Sequence, residues 1–225
     1  MLLTRYQSPY PNYAHQLFVT PSKHLMVLKD GRLRYQSKPV EVSLGAVSTA
    51  PREHLVHYIV ADHTSSAFYA ETRSGRSLQS AVDFLRRAWQ KKEDFFFHGI
   101  PEVVSIPAAV AETFPDVLPW LASLGVRAFA PTSGFQAGVH QVRNWDKDLA
   151  AAASVHEYLN GVSVDLSSLE QITSATLKRS NDALLSRSAQ KMTRRELWES
   201  PRNGWPPIRL LEPVVTPVQT PFSHK

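Results

Sequence analysis

The chain has 225 residues, with 25 Lys and Arg against 20 Asp and Glu, a net charge of +5, a pI near 9.5 and no cysteine. Zero cysteines excludes disulfides and thiolate chemistry, and the longest apolar runs fall far short of the roughly 20 residues a membrane span needs. The apolar fraction of 43% supports a packed core, the mild basic excess favours an anionic partner such as nucleic acid, and a start broken by prolines and tyrosines is no signal peptide. A soluble cytoplasmic protein is expected.

Residues 1–25 read as irregular, with Pro9, Pro11 and Pro21 as breakers. "LMVLKDGRLRY" then reads as a hairpin about Asp30-Gly31. "HLVHYIVA" is a strong strand and "SSAFYAE" its partner, with Asp62 at the junction. "SLQSAVDFLRRAWQKK" is the clearest helix, with Ser77 as its expected N-cap and Lys91 and Lys92 at its negative end. "EVVSI" reads as a short buried strand. Pro107 opens a helical stretch broken by Pro115 and Pro119 and ended by Gly125, and "VRAFA" is a further strand. From about Val139 a helix runs through "HQVRNWDKDLAAAASVHEYL", and the residues after Gly161 are helical and polar. Six prolines among the last 25 residues predict an extended or disordered tail. Strands first, then strands alternating with helices, argue a mixed sheet with helices on its faces.

In that order, "HYIVADHTSSAFYAE", "SLQSAVDFLRRAWQ", "GIPEVVSIPAAVAETFPDVLPWLASLGVRAFAP", "GFQAGVHQVRNWDKDLA" and the closing segment around Asn181, Thr193 and Glu196 resemble the catalytic core of retroviral-type integrases and DDE transposases. The resemblance implies an α/β, ribonuclease H-like mixed sheet flanked by helices. It divides the chain into an N-terminal extension with a β-hairpin (1–50), an integrase-like core (51–200) and a flexible Pro-rich tail (201–225). It also implies three acidic residues, from the first strand, the strand after the first helix and the last helix, holding two Mg²⁺ or Mn²⁺ ions for phosphodiester chemistry.

Asp62 takes the first of those positions in this reading. The second falls at Ile106 or Pro107 and the third at His140, none of them a carboxylate. One Asp cannot hold two hard cations against their hydration. The sequence therefore implies a degenerate, non-cutting integrase-like protein of a mobile element, without cofactor, that binds DNA or a recombination partner. Two alternatives stand beside it: an active metal-dependent nuclease with acids rearranged around Asp62, needing Mg²⁺ or Mn²⁺, and a scaffold that binds protein and no DNA.

Other polar residues have plainer readings. Asp146 and Asp148 read as a solvated helix face, the histidines near Asp62 as hydrogen-bonding groups, and Asp62 itself as a turn residue bonding Thr64 or Ser65. Arg73, Arg76, Arg86, Arg87, Lys91 and Lys92, against the single acid Asp83, form the candidate phosphate-tracking patch. Trp120, Trp145 and Trp198 read as packing residues, and Trp205 as a partner contact through which the tail recruits another protein.

Overall fold

The computed structural model describes residues 8–131, 137–185, 191–201 and 203–212, with the backbone alone over 137–140. The strands are β1 (Ala14–Val27), β2 (Leu33–Tyr35), β3 (Glu53–Asp62), β4 (Phe68–Ser74), β5 (Val103–Ser105) and β6 (Arg127–Phe129). The α-helices are α1 (Ala81–Trp89), α2 (Ala108–Thr113), α3 (Val117–Ser123), α4 (Ala137–Asn160), α5 (Leu166–Asn181) and α6 (Arg194–Trp198). The strands lie in the order β4-β3-β1-β5-β6, with β2 paired to the far end of β1. The β1–β3 and β3–β4 pairs are antiparallel, and the β1–β5 and β5–β6 pairs parallel. This is the expected mixed sheet, and the β1–β2 hairpin turns at Gly31 with φ +83° as its Asp-Gly dipeptide requires.

The first correction concerns residues 14–27. Expected to be irregular or a hairpin arm ahead of the core, they form the longest strand among the described residues and the centre of the sheet. Polar residues at His15, Gln16, Thr20, Ser22, Lys23 and His24 break its apolar run, and Pro21 removes a backbone donor. A strand covered on both faces can carry such residues when each finds a partner. Pro21 is accommodated at a bulge, where the β1–β3 register shifts between Pro21 and Met26.

The bulge also reverses which face each residue takes. Before it, Leu17 and Val19 pack with Val56, Tyr58 and Val60 of β3 against Phe84, Leu85 and Trp89 of α1 and Val117 and Leu121 of α3. Phe18 lies on the opposite face. After the bulge, Leu25 and Val27 join Leu55, Ile59 and Phe68 against Trp145 and Leu149 of α4 and Leu169, Ile172 and Leu177 of α5. Helices α1–α3 thus cover one face of the sheet, and α4 and α5 the other.

Helix α1 starts three residues later than the Ser77 cap predicts. Ser80 accepts from the backbone N–H of Val82 and Asp83, while Leu78 packs on the core from the extended segment before it. Lys92 closes the far end, its Nζ donating to the carbonyls of Ala88, Gln90 and Phe97 at 2.8, 2.9 and 3.1 Å. On this face Trp89 stacks on Trp120 and donates to His15 Nδ1 at 3.0 Å, and Phe97 stacks on Trp198 of α6. Burial pushes the His15 imidazole down to about 3, so it is the neutral acceptor this bond needs.

Part of the expected tail is described. Residues 203–212 are docked rather than free. Ile100 N donates to Arg209 O at 2.8 Å, Leu211 packs on the α1-side core, and Trp205 stacks on Tyr10 with 6.2 Å between centroids. Gly99 makes the approach possible: its φ is +101°, and a Cβ there would overlap Ile208 Cγ2. The rest of the expected tail, 213–225, lies outside the described residues.

Candidate functional site

Asp62 ends β3, the strand beside the central one, and is 1% exposed. It pairs with His15 across the β1–β3 ladder. By strand alternation it shares the face of Tyr58 and Val60, under α1, whereas Ile59 and Ala61 face α4. Its carboxylate is occupied by the Asn12 N–H at 2.8 Å and by the Ser65 N–H and hydroxyl, each at 2.6 Å. Burial pushes its pKa up to about 6, against the pull of Ser65 and Asn12. This carboxylate ties the β3–β4 turn to the segment leading into β1, the local role its neighbours Thr64 and Ser65 suggest.

Pro107 is the N-cap residue of α2 and has no side-chain ligand atom. His140 lies in the first turn of α4, its side chain outside the described residues. That helix packs on the sheet face opposite to the one Asp62 shares. Asp62 and Pro107 therefore do not form a ligand pair, and the expected third position, at His140, lies outside the described side chains.

The topology relocates the place where a ligand set would stand. The strand that is antiparallel to one neighbour and parallel to the strand after the first helix is β1, not β3. No acid occurs in the 14 residues of β1, nor in β5. Where those two strands run side by side, Gln16 lies opposite Ser105, the two 1% and 2% exposed. By alternation both belong to the face on which α4 packs. Next along, Gln141 of α4 donates to Ser66 O at 2.8 Å. An amide and a hydroxyl are weak donors for hard divalent cations, which take carboxylates. The residues present do not fit a two-metal centre, and among the described residues no group of three or more His, Cys, Asp or Glu could hold a metal ion.

Asp146, read from sequence as part of a solvated face, is instead buried, 6% exposed, and joins three strands to α4. Its Oδ1 accepts from the Ser22 hydroxyl at 2.5 Å and from His57 Nε2 at 3.0 Å, and its Oδ2 from the Lys23 N–H at 2.9 Å. The other His57 nitrogen meets Thr72 Oγ1 at 2.9 Å. Burial pushes the Asp146 carboxyl up, but His57, Ser22 and the Lys23 N–H together bring it down to about 2. The set contains Ser, His and Asp without forming a hydrolytic triad. Ser22 donates to the carboxylate rather than to the imidazole, and at 1% exposure it offers a substrate no approach. Asp148, one half-turn on, is exposed as expected.

Most of the candidate phosphate-tracking residues are already engaged. Arg87 grips the buried Glu71 through Nε at 2.8 Å and Nη2 at 3.0 Å, and Arg73 approaches the same carboxylate at 3.3 Å. Arg76 bonds the carbonyls of Ser48 and Pro51, Arg86 lies over the Trp120 ring at 5.8 Å, and Lys92 caps α1. Lys91 is exposed. Burial brings the Lys92 ammonium down to about 8. The cluster so dense in the sequence is largely an internal ion-pair and capping system built around Glu71.

The signals sequence reasoning missed were present but weak. A long polar-interrupted strand around Pro21 hid β1, and with it Gln16. Asp146 gave itself away only through spacing, lying one residue beyond Trp145 and one turn before Leu149 and Ala150, all of which face the sheet.

This strand order, with the central strand leading and helices on both faces, defines a ribonuclease H-like α/β fold of the kind found in retroviral integrase catalytic cores. No protein-family model and no curated protein matches the chain; its likeness is to solved structures. One is the simian T-cell lymphotropic virus intasome in complex with PP2A regulatory subunit B56 gamma, at a TM-score of 0.56 and 15% identity, covering 95% of this chain and 63% of that one. Another is the HTLV-2 integrase catalytic core domain in complex with magnesium, at 0.52 and 12% identity, covering 85% of this chain and 99% of that one. The chain thus spans under two thirds of the intasome chain and the full extent of the catalytic core. Among the described residues no helix is long and apolar enough to cross a membrane.

Proposed function

We propose that this chain is an integrase-like protein of a recombination or mobile-element system, one that binds DNA or a recombination partner and does not cut. The observation that carries the reading is the donor set at the β1–β5 step. The central strand has no acid, its neighbour offers Ser105, and the buried carboxylates of Asp62 and Asp146 are each filled by three protein donors. The magnesium complex of the HTLV-2 core shows what this fold holds elsewhere; Gln16 and Ser105 are poor substitutes for the carboxylates such an ion takes. The intasome in complex with a PP2A subunit supports an assembly role.

Phosphate contact, in this reading, falls to Lys91 and to cations outside residues 73–92. Lys29, Arg34, Lys38 and Lys147 are exposed and outside any ion pair among the described residues. Lys147 lies beside His24 and Tyr35, whose rings stack at 5.9 Å. Fluorescence anisotropy with duplex DNA tests this. The expected result is binding that weakens steeply with salt, is lowered by Arg34→Glu with Lys147→Glu, and is unmoved by Arg87→Ala. Salt-insensitive binding, or none, would remove DNA from the proposal and leave the protein partner. Nicking that depends on Mg²⁺ or Mn²⁺ and is lost in Asp62→Ala would overturn the non-cutting assignment.

A further inference from the structure

We propose that the cavity between α4, α5, α6 and the start of β4 is a binding site for a phosphate-type oxyanion. It measures about 400 Å³, and Phe68, Asn144, Trp145, Asp148, Arg179 and Arg194 are among its lining residues. It adjoins the Asp62 turn through Gln141, which also lines it, and does not depend on the function proposed above.

Two observations point to a missing acceptor. Trp145 is 1% exposed, yet its indole Nε1 has no hydrogen-bond partner. Arg194 is half-buried, and its Nε is buried without a partner. A buried polar group left unpaired is costly, and native structures seldom leave one so without a reason. Both orphans are pure donors, so what they lack is an acceptor.

Charge narrows the class. Arg194 forms no ion pair with a carboxylate among the described residues, although burial pulls its pKa down and Asp148 only partly offsets this. One of its nitrogens, Nη1, is held by Ser180 O at 2.7 Å, and its backbone position is set by Thr193, the N-cap of α6, whose capping box with Glu196 is complete. Arg179 adds a second guanidinium at the rim and Asp148 the single acid. Two guanidiniums against one carboxylate leave a cationic pocket. Its donors stand on three different helices, an arrangement that suits oxygens spread tetrahedrally better than a planar carboxylate. Asn144 supplies a further amide donor. The source of the phosphate is either a free ion or a nucleic-acid backbone, and the chemistry of recognition is the same.

The test uses the full chain labelled with ¹⁵N, following its five tryptophan indole N–H resonances, with Trp145 assigned through Trp145→Phe. Inorganic phosphate is titrated in one arm and a short DNA duplex in the other. The expected result is a saturable shift of the Trp145 indole while those of Trp89 and Trp198 stay in place. Arg194→Met weakens binding by about tenfold or more, and Asp148→Asn, which removes the opposing charge at the exposed rim, tightens it. A shift in the phosphate arm identifies a free-ion site; a shift in the DNA arm alone identifies a backbone phosphate. If neither arm moves the indole, water alone fills the cavity and the proposal fails. It fails also if Arg194→Met binds like the wild type. Should that variant not fold, unchanged affinity in Asp148→Asn is the overturning result.

Discussion

Replacing Asp146 by Asn probes the network that joins β1, β3, β4 and α4. The change keeps the volume and removes the charge that Ser22, Lys23 and His57 all address, so one of three buried donors meets an NH₂ group instead of an oxygen. Breaking such a buried pair costs about 3 kcal/mol at neutral pH. Part of that cost is electrostatic. The folded carboxyl lies at about 2 against an ordinary value of 3.8, and this difference corresponds to about 2 kcal/mol. Folding lowers this pKa, so the contribution is fully present above the unfolded value and lost as pH falls through the folded one. Urea unfolding of wild type and Asp146→Asn, compared from about pH 5 down to about pH 2.5, should show the gap between them closing by most of that 2 kcal/mol. A gap that stays constant across the window would refute the claim that Asp146 is an ionised, donor-stabilised carboxylate.

Asp62 has the opposite sign. Its folded pKa is raised to about 6, so its contribution is complete below the ordinary carboxylate range and lost as pH rises through the folded value. Relative to wild type, Asp62→Asn should gain roughly 2 kcal/mol between about pH 4 and about pH 7 in the same urea measurement. Arg87→Ala leaves the buried Glu71 with Tyr69, Gln79 and Arg73 as partners and, with Arg87 40% exposed, should lower stability by roughly 1–2 kcal/mol, read as a lower thermal midpoint. Gly99→Ala places a Cβ against Ile208 at a φ of +101° and should cost about 2 kcal/mol. It should also release residues 203–212, seen as faster proteolytic cleavage after Arg209.

The general architecture was legible because its signals are local and redundant. An amphipathic helix over residues 81–89, an Asp-Gly hairpin and two adjacent apolar strands each declare themselves within a window of about ten residues. The central strand was not legible, because β1 engages several of its polar residues through distant partners. His15 bonds Trp89, Ser22 bonds Asp146, and Pro21 sits at a bulge. None of these pairings has a sequence signature. Missing β1 moved the expected first-strand position onto β3, and so made Asp62 look like the first member of a metal site. The run of basic residues in 73–92 misled for a related reason. Glu71, which holds Arg73 and Arg87, lies just outside that run on β4, so a count within the window finds cations in excess where the fold pairs them. The fate of Lys92 was half visible: its place at the end of α1 suits the helix dipole, but its three carbonyl contacts depend on the return of Phe97.

The stacking of Trp205 on Tyr10 and the bridge from Arg209 to Ile100 bring the first and last described segments of the chain onto one flank, at the β5 side of the sheet. Segments that meet in this way can be joined by a linker and the chain reopened elsewhere with little disturbance to the core. A circular permutant opened in the exposed β1–β2 turn, at Asp30-Gly31, would keep every strand pair of the sheet except the covalent turn itself.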